Sequence, residues 1–263
     1  MKPSGIISLL TDFGNADGYV AAMKAVILTI HPQARLIDIS HDVAPQDVQA
    51  GAFLLSSHSK FFPAGTVHLA VVDPGVGTAR RLLAVQAGEQ IYLAPDNGLL
   101  DFCIDLSADQ TVEINNKNLW RHSVAKTFHG RDILSPVAAH ISAGMPLSQV
   151  GSPTKLVRRM SKPVCSMSDK EIIGQVVYID RFGNLITNLP ARYLHELGNA
   201  ANFEIYLEEY LIGALCSTYA DVEEGTAVAV VGGFDLLEIG INGGSAVKHF
   251  RAGVGAVVTV RKK

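Results

Sequence analysis

Residues 68–81 read HLAVVDPGVGTARR, and this stretch determines the fold expected for the first half of the chain. The apolar run at 69–72 predicts a buried strand that ends in Asp73, Pro74 and two glycines. Proline cannot continue a strand and glycine permits sharp bends, so the turn can return Arg80 to the side of Asp73. A carboxylate at the C-terminal end of a buried strand is a common way for an α/β sheet to present a reacting group. A purely structural ion pair gives the same pattern.

Strands and helices alternate on both sides of this stretch. Short apolar runs predict strands at 6–10, 35–39, 66–72, 82–87 and 91–94, the last two joined by a turn at Gly88. Longer runs predict helices from Gly18 to about Ile30, over 47–62, over 99–106 and from 127–132 to about Ala143. This order implies a parallel sheet with crossover helices. We therefore expect an α/β N-terminal domain with a mainly parallel central sheet.

The second half of the chain has a different pattern. Residues 157–170 mix basic residues, serines and a proline without periodicity, which places a domain boundary there. Short β-rich runs separated by Gly and Asn turns follow at 172–179, 185–189, 203–207, 227–231, 236–241 and 256–260. Their spacing is typical of a small antiparallel β-barrel. The expected domains are an α/β domain over 1–162 and a β-barrel domain over 163–263.

Composition excludes several classes of protein. The 263 residues are 48% hydrophobic with a net charge of −3, which provides material for a core but no basic field for nucleic acid or a membrane surface. Three cysteines without paired spacing argue against a disulfide framework or a zinc site. The first apolar run is too short for a signal peptide, and no run reaches membrane-spanning length. We therefore expect a cytoplasmic protein.

Two polar residues next to predicted helices have simple structural interpretations. Asp17 precedes a helix, and taken alone it is best interpreted as the helix cap. His129 lies just before another helix, whose dipole should hold the imidazole near neutral. A single histidine is more often structural than catalytic, so position alone assigns His129 no role.

Five stretches, in order along essentially the whole chain, match one family. They are TDFG at 11–14 with Asp17, VVDPGVG at 71–77 with Arg80, PDNG at 95–98, TFHGRD at 127–132 and DRFGN at 180–184. The chain closely resembles the S-adenosyl-L-methionine (SAM) hydroxide adenosyltransferases, or SAM hydrolases, which are relatives of the bacterial fluorinase and chlorinase. The resemblance implies hydrolysis of SAM to adenosine and L-methionine with no cofactor and no metal. It also implies a homotrimer, with sites where one subunit's first domain meets a neighbour's second.

The family's catalytic triad maps onto Asp73, Arg80 and His129. In the halogenating branch an aromatic or small residue replaces the aspartate, and the triad is lost. That branch also has a halide-binding serine where this chain has Gly130, and a tryptophan where it has Gln46. These departures make a SAM-dependent halogenase the weaker alternative.

The resemblance also implies which residues bind substrate. They are Asp12, Asp17, Phe128, Asp180, Phe182, Asn184 and Asn242. Asp12 matches the ribose-binding carboxylate, and Asn184 matches an adenine-reading asparagine with Phe182 near the ring. Asp17 and Asp180 match carboxylates near the methionine amino group.

The sequence leaves the methionine subsite and the reaction class open. A Ser-Arg or Ser-Ser pair near the methionine carboxylate is replaced here by the Gly232-Gly233 region, so recognition of that carboxylate would rest on backbone N–H groups. A non-catalytic adenosine- or SAM-binding module would keep the same pocket. A metal hydrolase is disfavoured because the His and Asp residues lack ligand spacing on any one element.

Overall fold

The computed structural model describes residues 2–103, 110–154, 160, 163–199 and 202–263. The chain divides into two compact units, Met1–Met160 and Ser161–Lys263, and each has its own hydrophobic core. The domain boundary predicted after residue 162 adjoins residues 161–162, which lie outside the described part of the chain.

The described part of the N-terminal unit is built around one sheet. Its elements in chain order are β1 (Ile6–Thr11), α1 (Tyr19–Ile30), β2 (Arg35–Ser40), α2 (Val48–Ser59), β3 (Val67–Val71), β4 (Leu82–Ala87), β5 (Gln90–Pro95), β6 (Gln110–Ile114), α3 (Ser135–Ser142) and β7 (Gly151–Pro153). Single turns of 3₁₀-helix at Lys117–Leu119 and Leu147–Gln149, and a π-helical turn at Gly130–Leu134, lie between them.

This sheet is mixed, with the strand order β2-β1-β3-β5-β4-β6-β7. The pairs among β2, β1, β3 and β5 are parallel, whereas β5–β4, β4–β6 and β6–β7 are antiparallel. The expectation of a mainly parallel sheet is therefore correct for only half of the sheet. The reason is the two-residue hairpin at Gly88, where φ is 57°, because it reverses the chain instead of crossing over.

Two further differences concern the same half. Strands β6 and β7 form where no strand is predicted. Residues 99–103, predicted as helix, form turns, and residues 104–106 of that prediction lie outside the described residues.

The sheet places two loops at one edge. Strands β1 and β3 are buried along their whole length and share a core with side chains of α1 and α3. They run parallel with Thr11 opposite Val71, so their carboxyl ends are level. The loops that begin with Asp12 and, two residues beyond β3, with Asp73 therefore leave the same edge of the sheet, which is where α/β proteins form ligand sites.

The described part of the C-terminal unit is rich in β-structure. Its elements are β8 (Ser166–Met167), β9 (Glu171–Ile179), β10 (Leu185–Pro190), α4 (Ala191–Leu197), β11 (Phe203–Leu207), β12 (Tyr210–Gly213), β13 (Leu215–Cys216), β14 (Ala227–Val231), β15 (Leu236–Ile241), α5 (Ala246–Phe250) and β16 (Val257–Lys262). The main strand order is β12-β11-β16-β9-β10-β15-β14-β13, with β8 paired to β9. All of these pairs are antiparallel except β13–β14. Strand β12 also approaches β14, which nearly closes the sheet into a barrel-like form.

Among the described residues, the helices are all too short or too polar to cross a membrane.

Candidate active site

The turn after β3 depends on a glycine. Asp73 follows the strand, and the backbone folds back over residues 73–78. Gly77 has a φ of 81°, and a Cβ there would lie 2.7 Å from the carbonyl oxygen of Lys126. Glycine at this position lets the turn pack against the segment that leads to His129.

This turn brings Arg80 against Asp73. The Arg80 Nε lies 2.8 Å from each carboxylate oxygen of Asp73, and Nη2 also donates to Oδ2. The side chains are only 9% and 6% exposed, respectively. Because the guanidinium presents its donors in a fixed planar fork, it sets the orientation of the carboxylate.

His129 is the third member of this group. It immediately precedes the π-helical turn, and its Nδ1 lies 3.0 Å from Arg80 Nη2. A guanidinium can only donate, so Nδ1 is the acceptor and the proton of the neutral ring is on Nε2. Burial and then the positive charge of Arg80 lower the pKa of His129, which favours the neutral imidazole.

Asp132 organises the loop that carries His129. Its side chain is 0% exposed and accepts the Ala125 N–H at 2.9 Å and the Arg131 Nε and Nη2 at 2.7 and 2.8 Å. The Arg131 guanidinium in turn lies 4.7 Å from the centre of the Phe128 ring. This buried carboxylate therefore fixes the backbone on both sides of His129.

Phe128 connects this loop to the loop after β1. Its ring packs edge-to-face with Phe13 and Tyr19, at centroid distances of 5.9 and 5.4 Å, and those two rings are 5.8 Å apart. Such aromatic contacts stabilise beyond the area that they bury. They hold the segments of Asp12 and His129 together.

Asp12 begins the loop after β1 and has a backbone partner. Its Oδ2 accepts the N–H of Gln46 at 2.8 Å, and Gln46 has the unusual φ of 68° for a residue other than glycine. The preceding Thr11 is held by His41, whose Nδ1 lies 2.9 Å from Thr11 Oγ1 and whose Nε2 lies 3.0 Å from Asp38. A carboxylate can accept about four hydrogen bonds, so Asp12 retains capacity for a ligand.

Asp17 is exposed in the same loop. The N-cap of α1 is Gly18, with a φ of 70°, and no side chain caps the helix. The helix-cap interpretation of Asp17 is therefore wrong.

The two adjacent arginines have different partners. Arg81 donates through Nε to Asp96 Oδ2 at 3.0 Å, and its Nη2 reaches the same oxygen. Beside this pair, Asn97 Nδ2 donates to the carbonyl oxygen of Val72 at 2.8 Å. The PDNG motif thus supports the backbone that presents Asp73.

The C-terminal unit contains an open pocket of about 610 Å³. It is lined by Asp180, Phe182, Asn184, Tyr219, Glu238, Ile241, Gly243 and Gly244. Phe182 lies on the turn between β9 and β10 and is 76% exposed. An exposed aromatic face beside polar groups suits a planar, hydrogen-bonding ligand.

Asp180 is the organising group of that turn. Its Oδ1 accepts the backbone N–H groups of Phe182 at 2.9 Å and Asn184 at 2.8 Å, and its Oδ2 accepts Asn184 Nδ2 at 3.0 Å. The structure therefore brings together the three residues that the DRFGN motif contributes. Asp180 orients Phe182 and Asn184 through these hydrogen bonds.

Two lining residues, Tyr219 and Glu238, are absent from the set predicted by sequence. The Tyr219 hydroxyl donates to Glu238 Oε1, and burial raises the pKa of both side chains. The available signal was a single carboxylate inside the apolar strand LLEIGI at 236–241. Asn242, which was predicted, donates its Nδ2 to Val222 O at 2.8 Å and supports a neighbouring loop.

Asp73, Arg80 and His129 together have the chemistry to bind and orient a water molecule. It combines a desolvated carboxylate, a fixed guanidinium and a neutral imidazole that presents Nε2–H. Across the described ranges, no cluster of three or more His, Cys, Asp or Glu side chains has the arrangement of a metal site.

Comparisons with known proteins give one consistent result. Family models for the SAM hydroxide adenosyltransferase N-terminal and C-terminal domains match residues 7–151 and 174–259. The (R)-S-adenosyl-L-methionine hydrolase of Salinispora tropica is 38% identical over 251 residues, which are 94% of each chain. A fluorinase from an Actinoplanes species is 29% identical and covers 98% of this chain and 97% of its own.

A solved structure shares the fold. The crystal structure of an uncharacterized conserved protein from Thermotoga maritima matches with a TM-score of 0.90 and 32% identity, over 97% of this chain and 100% of that one. Two domain models in the expected order and a relative at 38% identity place the whole described architecture in one family. The chain belongs to the SAM hydroxide adenosyltransferase family.

Proposed function

We propose that this protein hydrolyses SAM to adenosine and L-methionine, through attack of a water molecule on the 5′-carbon of the ribose. The observation that carries the proposal is the convergence of Asp73, Arg80 and His129 in a member of this family. The name of the Salinispora relative specifies the (R) configuration at sulfur. We extend the same configuration to the substrate of this chain.

The difficulty of this reaction lies with the nucleophile. The leaving group is a neutral thioether that departs from a sulfonium, so it needs no proton. The reaction consumes one water and releases one proton. Holding the water and C5′ in line contributes on the order of 7–11 kcal/mol to the reduction of the barrier.

Asp73, Arg80 and His129 have different roles in activating the water. Because Arg80 occupies Nδ1, His129 offers Nε2–H as a donor to the water oxygen, where negative charge develops. Asp73 has carboxylate lone pairs for the proton that the water loses, and Arg80 orients that carboxylate. Arg80 therefore couples the donor and the proton acceptor.

Other residues hold the substrate. Asp12 can accept hydrogen bonds from both vicinal ribose hydroxyls, and Asp17 offsets positive charge on the sulfonium or the ammonium group. Phe182 stacks on the adenine ring, and Asn184 binds its edge. Asp180 acts through these last two residues, which it orients.

A homotrimer with shared sites is part of the proposal. The N-terminal unit of one subunit would act with the C-terminal unit of its neighbour. Sedimentation should then give three times the 28.1 kDa chain mass. Subunits with Asp73→Asn and subunits with Asn184→Ala, each inactive alone, should regain activity when refolded together, and a lack of recovery would contradict shared sites.

Two competing functions would give different products. A halogenase would form 5′-halo-adenosine, and Gly130 argues against it, because glycine has no hydroxyl to bind a halide. A binding module would retain adenosine and release no methionine. We favour hydrolysis because the charged triad is complete.

The test is to incubate the purified protein with SAM and separate the products by chromatography. We expect adenosine and methionine in equal amounts, undiminished after dialysis against a chelator and unchanged by excess chloride. The Asp73→Asn variant should still bind SAM by calorimetry but lose turnover. Halo-adenosine, or binding without methionine release, would overturn the proposal.

A further inference from the structure

We propose that Tyr219 and Glu238 are positioning residues that lock the side-chain amide of Asn184 in one orientation, so that the protein selects a 6-amino purine over a 6-oxo purine. This inference rests on the proposed function, because it names the specificity of the same site. It adds two residues that the family motifs did not include.

The first contact distinguishes the nitrogen of the Asn184 side-chain amide from its oxygen. Asn184 faces Asp180 Oδ2 at 3.0 Å. A carboxylate oxygen is an acceptor, so the facing atom must be the amide nitrogen Nδ2. The reversed amide would place two oxygens against each other.

The second contact opposes reversal from another side. Tyr219 gives its hydroxyl proton to Glu238 Oε1, so its oxygen faces Asn184 as an acceptor, 3.4 Å from Nδ2. This hydrogen bond is long, but an amide oxygen in its place would face an oxygen that has no proton to donate. Glu238 thus fixes the direction in which the Tyr219 hydroxyl donates. Tyr219, together with Asp180, then fixes the orientation of the Asn184 amide.

The surrounding backbone makes room for this chain of contacts. A Cβ at Gly232 would collide with Glu238 Oε2. A Cβ at Gly240 would lie 2.8 Å from the Tyr219 ring and 2.9 Å from Asn184 Oδ1. Asn184 and Glu238 are 7% and 5% exposed, so the contacts are largely protected from water.

The consequence concerns the ligand. Both hydrogens of Nδ2 have protein partners, whereas no hydrogen bond from the described residues reaches Oδ1. A free acceptor pairs with the exocyclic amino group of adenine. The 6-oxo group of hypoxanthine would place an acceptor against an acceptor and leave both unpaired.

The experiment compares kcat/KM for SAM with kcat/KM for its 6-oxo (inosyl) analogue. The wild-type protein should prefer SAM by roughly 100-fold or more, since sites built around a substrate N–H strongly reject analogues that lack it. Tyr219→Phe should lower this ratio by about 10-fold, mainly through KM, because only the contact with Asp180 then opposes reversal of the Asn184 amide. Tyr206→Phe is the matched control, since Tyr206 bonds Glu204 at 2.9 Å and does not line the pocket.

Each outcome decides a different point. An unchanged ratio in a folded Tyr219→Phe protein, or an equal fall in Tyr206→Phe, would overturn the inference. If Tyr219→Phe fails to fold, Glu238→Leu replaces it, because leucine removes the acceptor of the Tyr219 hydroxyl proton and leaves that proton available to the Asn184 amide oxygen. A wild-type ratio in a folded Glu238→Leu protein would equally overturn the inference. A wild-type protein that converts neither substrate would refute the proposed function instead.

Discussion

Arg80 Nη2 lies 3.0 Å from His129 Nδ1, while the same guanidinium grips both oxygens of Asp73. One cation therefore fixes the orientation of the carboxylate and the tautomer of the imidazole. This arrangement makes His129 a hydrogen-bond donor through Nε2, and it leads to specific expectations for variants.

Glutamine and alanine at position 129 should differ. The glutamine amide can donate as Nε2–H does, but it cannot act as a base. We expect His129→Ala to lose about 10²–10³-fold in kcat, as for the loss of one oxyanion-hole donor, and His129→Gln to retain at least about 10-fold more activity than alanine. Steady-state kinetics measures both, with SAM binding by calorimetry as the control. Equal losses in the two variants would indicate a general base instead.

The pH dependence of kcat/KM should reflect neutral His129. A protonated ring would carry Nδ1–H against the Arg80 guanidinium, so activity falls as pH falls through the pKa of His129. Burial and Arg80 lower that pKa, which places the acid limb below the ordinary histidine value of 6.5. A pH profile of kcat/KM, with the ring titration followed by NMR, gives the position. An acid limb at or above that value would argue against the Arg80 contact.

The adjacent arginines provide a matched pair of variants. Arg80→Ala should lower kcat by about 10³-fold because it releases both Asp73 and His129. Arg81 pairs with Asp96 and is partly exposed, so Arg81→Ala should cost about 1–3 kcal/mol of unfolding free energy while kcat falls less than about 10-fold. Kinetics and urea unfolding of both proteins separate the two effects. A larger kcat loss in Arg81→Ala than in Arg80→Ala would contradict the assignment.

His68 should make stability depend on pH. It is buried in β3, with Nδ1 2.6 Å from Ser8 Oγ and its ring stacked on Tyr92. Burial lowers its pKa to about 4. The unfolded chain, with a histidine pKa near 6.5, then binds the proton first, and the free energy of unfolding falls as pH drops from 6.5 to 4, by up to about 3 kcal/mol.

Urea unfolding at about pH 7 and about pH 4.5 measures this linkage. His68→Gln serves as the comparison, because it has no group that titrates in this range. The difference between the two pH values should be smaller in the variant. An identical pH dependence would show that other groups are responsible.

Sequence reasoning succeeded where local chemistry decides the structure. The proline and glycines after Asp73 force a turn, and the spacing then returns Arg80. The turn at Gly88 was also predicted, but the antiparallel pairing of β4 with β5 that follows from it was not. By contrast, the short strand QTVEI at 110–114 is formed by pairing with β4, and the local sequence does not predict that pairing.

The candidate site shows the same division. The motifs gave the residues that the structure groups within each unit, and their catalytic and binding roles stay predictions. The pairing of Tyr219 with Glu238 joins residues 19 positions apart and depends on how the 3₁₀ turn at Tyr219–Asp221 lies against β15. The loss of the capping role for Asp17 depends on the left-handed conformation of Gly18. Neither is readable from residue types alone.

The proposed hydrolysis requires that water attacks the 5′-carbon of the ribose. The most direct measurement is turnover of SAM in H₂¹⁸O with mass spectrometry of both products. We expect one ¹⁸O in the 5′-hydroxyl group of adenosine and none in methionine. Unlabelled adenosine, or label that appears in methionine, would contradict it.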